Sequence, residues 1–289
     1  MSSSFTKKDY LESLRKLDIP SPAVLLVSTS FFGLGRLEGA ATREAYAETL
    51  CGAIREAFGE GSTILGNTYT TDIGRSSRPF VAEDKNTTTG IFNDWLLNQS
   101  GAVRSLHPLN SVTALGPAAK DMCLRAPRTN YGIDTPHWRF AQRRDAWILR
   151  VGIWPFGSSV DHLAEAVCGV PYQYNKQLDV SVRAGAKTVD GPWTAVVRYL
   201  HLELKYDFSR VEELVRKAGL LRESRVGAGA LYAYPAKDYF DLIVRELSQN
   251  PFLFMGAGFS IPPGKIPRDG STKDRDGVRQ KTRPPGEQK

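Results

Sequence analysis

The 289-residue sequence has only three cysteines, Cys51, Cys123 and Cys168, and they stand far apart. No two of them form a C-x-x-C pair, and their number is odd. Structural zinc sites and disulfide frameworks need closer or paired cysteines, so we predict neither. We also predict no metal cofactor, and a reducing cytoplasm is the compartment that this cysteine usage favours.

Long hydrophobic runs are also missing. The amino terminus lacks the apolar segment of a signal peptide. No window approaches the ~18–20 consecutive apolar residues of a membrane helix. The longest apolar runs, such as residues 23–27, have the length of a strand. We therefore predict no membrane partner.

Acidic residues are fewer than basic ones, 31 against 38, which gives a net charge of +7. Residues 265–289 contain eight basic and four acidic side chains and so carry +4 of that charge. Gly, Pro and charged residues dominate this end, which predicts a basic, disordered tail over residues 259–289 after a single domain over residues 1–258. The remaining body is only mildly basic. No nucleic-acid partner is predicted, because such proteins usually carry a basic patch with aromatic residues on the folded part.

The chain does contain strand and helix patterns in alternation. Residues 23–27 predict a buried strand, residues 42–58 a helix capped by Thr42, and residues 62–69 a second strand. Short connections between such elements favour an α/β fold with a layered α/β/α-type sheet. Further helices are predicted over residues 9–17, 90–98, 158–167, 210–218 and 236–247, and a further strand over residues 145–152.

Two segments lie outside this alternation. Residues 72–86 are polar and without periodicity, which predicts a long loop. Residues 180–183 and 193–204 alternate in polarity and predict an inserted antiparallel ribbon, with its turn at Asp190-Gly191.

His162 is the candidate general base among the four histidines. In the predicted helix it follows Asp161 directly and shares a face with Glu165 at i+3. A histidine beside carboxylates can take a proton near neutral pH. A surface or capping histidine is the alternative. The residues around His137 and His201 match no catalytic pattern, and both are expected to be structural or exposed to solvent.

Two loops could contact a ligand. Residues 28–35 follow a predicted strand and contain hydroxyls and glycines, and such loops can present backbone N–H groups to phosphate. Many α/β proteins have a similar turn, so this pattern is weak by itself. His107 precedes Pro108 and is held in an extended conformation. A hydrogen bond that fixes the loop is as good an explanation of His107 as a catalytic role.

Three segments resemble the aminoglycoside 3-N-acetyltransferase family, the antibiotic N-acetyltransferases that use acetyl-CoA. The order and spacing of the first two segments given below are specific to that family. Residues 104–116, RSLHPLNSVTALG, resemble the family's R-S-x-H-P-x-x-S-V-x-A-x-G. Residues 159–165 resemble T-x-x-H-x-A-E, with Ser159 in place of Thr and Asp161 in place of an apolar residue. Residues 25–35 resemble L-L-V-H-S-S-L-x-x-L-G, with Ser28 in place of His. Weaker matches, among them PYQYNK at residues 171–176, extend the resemblance over residues 5–255.

The resemblance implies the antibiotic N-acetyltransferase fold and acetyl-CoA as co-substrate. It implies that His162 takes the proton from the substrate amine, with Glu165 beside it. It also implies a group of residues that contact CoA: Ser28, Thr29, Ser30, Phe31, His107, Ser111, Val112 and Thr113.

The chain departs from the family where acidic residues are expected. Val81 replaces an Asp, although Glu83 and Asp84 are close by. Residues 69–72, YTTD, replace an aromatic-Asp pair, and whether Asp72 supplies the missing carboxylate stays open. We accordingly predict a catalytic role for Asp72 and contacts with the substrate for Glu83 and Tyr69.

Arg198, the third predicted substrate-binding residue, stands where aminoglycoside-modifying members carry the glutamate that orients the histidine. Whether Glu203, Glu165 or no carboxylate orients His162 stays open.

These departures bear on the acceptor. Polycationic aminoglycosides require a site lined by carboxylates, and arginine suits phosphate or carboxylate. We therefore predict direct acetyl transfer to an amine on a neutral or anionic molecule, such as a nucleotide-linked amino sugar or a biosynthetic intermediate. Aminoglycoside acetylation with antibiotic resistance is the first alternative. A catalytically impaired CoA- or ligand-binding homologue is the second. The sequence does not distinguish a homodimer from a monomer.

Overall fold

The computed structural model describes residues 4–261 except 77, 86, 126, 200, 201 and 203, and of Arg75 the backbone alone. The strands are Ser4–Phe5 (β1), Val24–Thr29 (β2), Arg36–Leu37 (β3), Thr63–Asn67 (β4), Phe80–Val81 (β5), Val103–Arg104 (β6), Val112–Leu115 (β7), Ala146–Val151 (β8), Gln173–Leu178 (β9), Val182–Ala184 (β10), Lys187–Val189 (β11), Trp193–Arg198 (β12), Arg222–Val226 (β13) and Gly229–Pro235 (β14). The α-helices are Lys7–Lys16 (α1), Arg43–Phe58 (α2), Ile91–Leu97 (α3), Ala119–Cys123 (α4), Pro136–Ala141 (α5), Ser159–Cys168 (α6), Ser209–Lys217 (α7) and Ala236–Gln249 (α8).

A mixed sheet with the strand order β13-β14-β8-β2-β4-β7-β6 organises the chain. Its centre is parallel, because β2 pairs in parallel with both β4 and β8, and the outer pairings are antiparallel. The carboxyl ends of the three parallel strands, at Thr29, Asn67 and Val151, therefore meet at one edge of the sheet. Ligand sites of open α/β sheets lie at such an edge.

The central strands are apolar on both faces, and their alternating side chains enter two separate cores. In β2, Val24 and Leu26 contact the core under α4 to α8, whereas Leu25 and Val27 contact the core under α1 to α3. Helices thus cover both faces of the sheet. This confirms the predicted α/β/α layering.

The inserted ribbon exists, but its predicted pairing is wrong. Residues 193–198 (β12) pair with residues 173–178 (β9), and residues 182–184 (β10) pair with residues 187–189 (β11). The tight turn lies between Ala184 and Lys187, where Gly185 adopts a φ of +57°, and not at residues 190–191. A two-residue hairpin loop needs such a left-handed position, which glycine supplies without strain.

The insertion has a small core of its own. Trp193 pairs with Leu178 across the ribbon, and both are buried with Phe80 of β5. Because Phe80 pairs with β10, the predicted loop over residues 72–86 contains a short strand. The burial of Phe80 stabilises the pairing of β5 with β10. A single buried aromatic residue produces no periodic pattern in the sequence, so this strand was not predicted.

Two residues just beyond the predicted domain boundary pack against the fold. Phe259 and Ile261 pack against the core under α8, and the Phe259 and Phe252 ring centroids are 5.5 Å apart. Both residues lie beyond the boundary predicted at residue 258. The rest of the predicted tail, residues 262–289, lies outside the described residues.

Candidate active site

The first turn of α6 places His162 at the carboxyl edge of the sheet. Ser158 caps the helix, with its hydroxyl accepting from the Val160 N–H at 3.2 Å, and its own N–H donates to Asp161 Oδ2 at 2.6 Å. The other oxygen of Asp161 accepts from the Tyr239 hydroxyl. This capping box explains why Asp161 stands at a position where the motif that the segment resembles has an apolar residue.

Glu165 is the carboxylate that contacts His162. Its Oε2 lies 2.7 Å from His162 Nδ1, and its side chain is fully buried. Oε1 accepts from the hydroxyls of Tyr172 at 2.7 Å and Tyr206 at 2.9 Å, and Oε2 also accepts from Gln173 Nε2 at 2.8 Å. Four donors hold this one carboxylate, so its position is well defined.

Two opposing effects act on the pKa of His162. Burial lowers the pKa, whereas the hydrogen bond and the charge of Glu165 raise it, as does the charge of Asp161. The positive charge of Arg198 acts in the lowering direction. The net result is a pKa above the ordinary value of 6.5. Because Nδ1 faces Glu165, Nε2 is the nitrogen left to accept a proton.

His162 opens on a cavity of about 520 Å³ between α6, the ribbon and the loops at the sheet edge. The imidazole keeps 38% of its surface exposed. Its ring centroid lies 6.0 Å from that of Tyr131 and 5.8 Å from that of Tyr206. The described lining contains two cationic side chains, Lys176 and Arg198, and no Asp or Glu.

A polar network forms the wall opposite the ribbon. The Tyr69 hydroxyl is 3.0 Å from that of Tyr131 and 3.3 Å from His137 Nε2, which is 3.0 Å from Asn67 Oδ1. Burial lowers the pKa of His137 to about 3, so its ring stays neutral at physiological pH. His137 is therefore structural, one of the two outcomes expected from its sequence context.

His107 fixes the loop before β7. Its Nδ1 accepts from the N–H groups of Leu109 and Asn110, both at 3.2 Å, which leaves Nε2–H to donate to the Thr194 carbonyl at 3.0 Å. Burial lowers its pKa to about 4, so the ring is neutral. Both nitrogens are engaged, and the predicted contact with CoA stays a prediction.

The other predicted CoA residues of this loop point inward. Ser111, Val112 and Thr113 are buried. The Ser111 hydroxyl donates to the Thr68 carbonyl at 2.6 Å and accepts from Arg104 Nε at 2.9 Å. These contacts leave little side-chain surface for a ligand, so their role in CoA binding also stays a prediction.

Residues 28–31, the second predicted CoA segment, lie at the carboxyl end of β2 and are partly exposed. Ser28 and Thr29 are the last residues of the strand, and the Ser30 N–H donates to the Val151 carbonyl at 2.8 Å. Phe31 lines a second cavity of about 630 Å³. The segment is thus placed at the same sheet edge as α6.

Of the four residues predicted at the acceptor side, the structure brings two into the cavity. Tyr69 and Arg198 line it. Asp72 instead pairs with Arg78 at 2.7 Å, and Glu83 accepts from the Gly185 N–H at 2.6 Å. Neither is a lining residue: Asp72 is paired within its own loop, and Glu83 is held by the turn between β10 and β11.

The sequence patterns did not predict two contacts of Glu165, and two residues considered from the sequence are not described. Glu203 and His201 lie outside the described residues. The missed side chains are Tyr206 and Tyr172, which hold Glu165. Tyr172 lies in the PYQYNK segment that resembles the family, whereas Tyr206 carries no signal in the sequence.

None of the described helices combines the length and the apolarity needed to cross a membrane. A buried carboxylate that holds a cavity-facing histidine, at the carboxyl edge of an α/β sheet, is an arrangement that enzymes use for general acid–base catalysis. Comparison with known proteins specifies this class further.

Residues 26–248 match the family model described as aminoglycoside 3-N-acetyltransferase, and the chain belongs to this family of acetyltransferases. Aminoglycoside N(3)-acetyltransferase III of a Salmonella species is 28% identical over 273 residues, 85% of this chain and 92% of that protein. The family implies acetyl-CoA as co-substrate, and the resemblance of the sequence motifs is thereby confirmed.

Solved structures agree on the fold. AAC-IIIb in a binary complex with CoASH has a TM-score of 0.72 at 19% identity, covering 89% of this chain and 100% of that chain. A variant of aminoglycoside acetyltransferase AAC(3)-IVa in complex with gentamicin has a TM-score of 0.69 at 20% identity, covering 96% and 99%. The antibiotic N-acetyltransferase fold is thus confirmed.

Proposed function

We propose that this protein transfers the acetyl group of acetyl-CoA to a primary amine of an amino sugar, with His162 as the general base. The contact between Glu165 and His162 at the cavity carries the proposal. It leaves Nε2 of a correctly oriented imidazole facing the space that an acceptor would occupy.

The proposed step is a direct transfer in a ternary complex. The amine nitrogen attacks the thioester carbonyl and gives its proton to His162 Nε2, as the C–N bond forms. The C–S bond then breaks, and CoA leaves as a thiolate that takes up a proton. General-base assistance of this kind contributes about 10²–10⁴ to the rate.

The carbonyl oxygen gains negative charge during this step and needs hydrogen-bond donors. The loops of residues 28–31 and 111–113 are the candidates. Two of their N–H groups are engaged inside the protein: Ser30 donates to Val151, and Val112 donates to Ser105 Oγ at 2.9 Å. Ser28, Thr29 and Thr113 lie in strands of the sheet, so the N–H groups of Phe31 and Ser111, just outside β2 and β7, are the better candidates for the oxyanion site.

Two acceptor classes are supported by different observations. Similarity to aminoglycoside N(3)-acetyltransferases favours an aminoglycoside acceptor, whose acetylation would confer resistance. The cationic lining of the cavity favours a neutral or anionic amino sugar, such as a nucleotide-linked one.

Thiol release from acetyl-CoA tests the proposal. The full chain is mixed with acetyl-CoA and with gentamicin, glucosamine or nucleotide-linked glucosamine, and His162→Ala is the comparison. We expect amine-dependent release with the wild type and a loss of about 10²–10⁴ in turnover with the variant. Absence of release with every amine, while CoA still binds, would favour a ligand-binding homologue instead.

A further inference from the structure

Arg198 lies in the cavity, and none of the described residues provides it with an anionic partner. Its guanidinium carbon stands 5.4 Å from the centroid of the Tyr206 ring, a cation–π contact. No described residue forms a hydrogen bond or an ion pair with this guanidinium. A guanidinium stacked on a ring keeps its N–H edge free for a planar anion.

The ring under Arg198 is fixed relative to the candidate base. Tyr206 donates to Glu165 Oε1 at 2.9 Å, stacks on Phe208 at an interplanar angle of 8°, and meets the His162 ring edge-on at 5.8 Å. The cation and the imidazole therefore contact one and the same tyrosine. An amine at His162 and an anion at Arg198 can belong to one small molecule.

The rest of the described lining agrees with an anionic ligand. Lys176 adds a second cationic side chain, and the lining contains no described Asp or Glu. Glu165 cannot contact a ligand cation directly, because its carboxylate is fully buried and accepts from four donors inside the fold. The charge of this cavity is thus opposite to that required by an acceptor with several ammonium groups.

We propose that Arg198 is a specificity-determining residue that binds an anionic oxygen group, a phosphate or a carboxylate, carried by the acceptor beside the amine to be acetylated. This inference rests on the proposed function and names its acceptor class. A bidentate contact with the guanidinium edge would place the amine toward His162 Nε2.

Matched acceptors and variants test the assignment. Glucosamine is compared with glucosamine 6-phosphate and with muramic acid, which add a phosphate and a carboxylate. Arg198→Met removes the positive charge, and Arg198→Lys keeps the charge but lacks the paired N–H donors of a guanidinium. Arg245→Met, on the exposed side of α8, is the control. The readout is kcat/KM from thiol release with the full chain.

We expect the wild type to prefer at least one anionic acceptor over glucosamine. Arg198→Met should reduce that preference by about 10- to 150-fold, as for the loss of a charged hydrogen-bond partner. The preference of Arg198→Lys should lie between those of the wild type and Arg198→Met, because lysine retains the positive charge without the planar guanidinium. Arg245→Met should keep the wild-type preference. The phosphate and carboxylate arms show which anion is selected.

A second readout separates specificity from a structural role. The Arg198 charge opposes protonation of His162, whereas Glu165 and Asp161 favour it, and the Tyr131 and Tyr206 rings beside the imidazole are uncharged. With glucosamine, Arg198→Met should therefore move the acid limb of the kcat/KM profile to higher pH. A merely structural residue would leave the limb in place.

The proposed acetyl transfer and the proposed role of Arg198 can be contradicted by different results. Release with glucosamine, together with equal effects of Arg198→Met on neutral and anionic acceptors, would overturn the role of Arg198 alone. If no amine is acetylated, the proposed function fails, and calorimetry with glucosamine 6-phosphate still tests Arg198. Equal affinity of the wild type and Arg198→Met for glucosamine 6-phosphate would then overturn the role of Arg198. A selective loss of this affinity in the variant would support that role.

Discussion

Glu165 and His162 lie one turn apart on α6, with Oε2 of the carboxylate 2.7 Å from Nδ1 of the imidazole. The helix itself sets this spacing, since residues at i and i+3 share a face. The two groups differ in environment, because the carboxylate is buried and the imidazole faces the cavity. Glu165 therefore holds the imidazole from inside the fold, while the other side of the His162 ring faces the cavity.

Removing the imidazole should separate catalysis from cofactor binding. We expect His162→Ala to lower turnover by about 10²–10⁴, because the amine then loses its proton to water. Affinity for CoA, measured by calorimetry, should stay at the wild-type level. A fully active variant would contradict the assignment of His162 as the base.

Glu165→Gln should move the pH dependence of the reaction. The carboxylate raises the pKa of His162, and burial alone would lower it. In the variant the pKa should therefore fall, and the acid limb of kcat/KM should shift to lower pH, with reduced activity at the plateau from poorer orientation. Glu213→Gln, an exposed change on α7, is the control. An unshifted limb would show that Glu165 does not tune the base.

His107 should make the fold sensitive to acid. Burial lowers its pKa to about 4 from an ordinary value of 6.5, so the folded state binds fewer protons than the unfolded state in this range. The stability from neutral His107 is complete above pH 6.5 and is lost as the pH falls toward 4, at roughly 1.4 kcal/mol per pH unit.

His107→Asn tests this dependence, because the Asn oxygen can replace Nδ1 as acceptor for Leu109 and Asn110. We expect the variant to be less stable than the wild type at pH 7.5, and the difference to shrink toward pH 4.5 in urea unfolding. His137, with its pKa lowered to about 3, should steepen the wild-type curve further. A difference that is constant with pH would contradict the buried neutral state of His107.

No cysteine should be needed for transfer. Burial raises the pKa of Cys51 and Cys168, and that of Cys123 to about 12, whereas a nucleophilic thiol needs a lowered pKa. None of these three residues is among the described lining of the cavity. Cys168→Ala, the change at the least buried thiol, should keep wild-type turnover without an acetyl-enzyme burst in rapid-quench experiments. A burst that disappears in this variant would indicate a covalent intermediate.

Much of the layered fold could be predicted from local patterns. The helix over residues 43–58 and the strands over residues 24–29 and 146–151 appear close to their predicted bounds. Their apolar residues recur at helical or strand spacing, and caps such as Thr42 mark where a helix begins. The ribbon pairing was mispredicted, because alternating polarity indicates a strand but does not identify its partner.

The sequence by itself determined the family, the layered sheet and the position of Glu165 on the same helix face as His162, because all three depend on motifs and spacings within short segments. Only the tertiary structure decided that Asp72 and Glu83 stay out of the cavity, and that Tyr172 and Tyr206 hold Glu165. These contacts join residues from separate elements. Their geometry arises from packing across the whole domain, which no local pattern records.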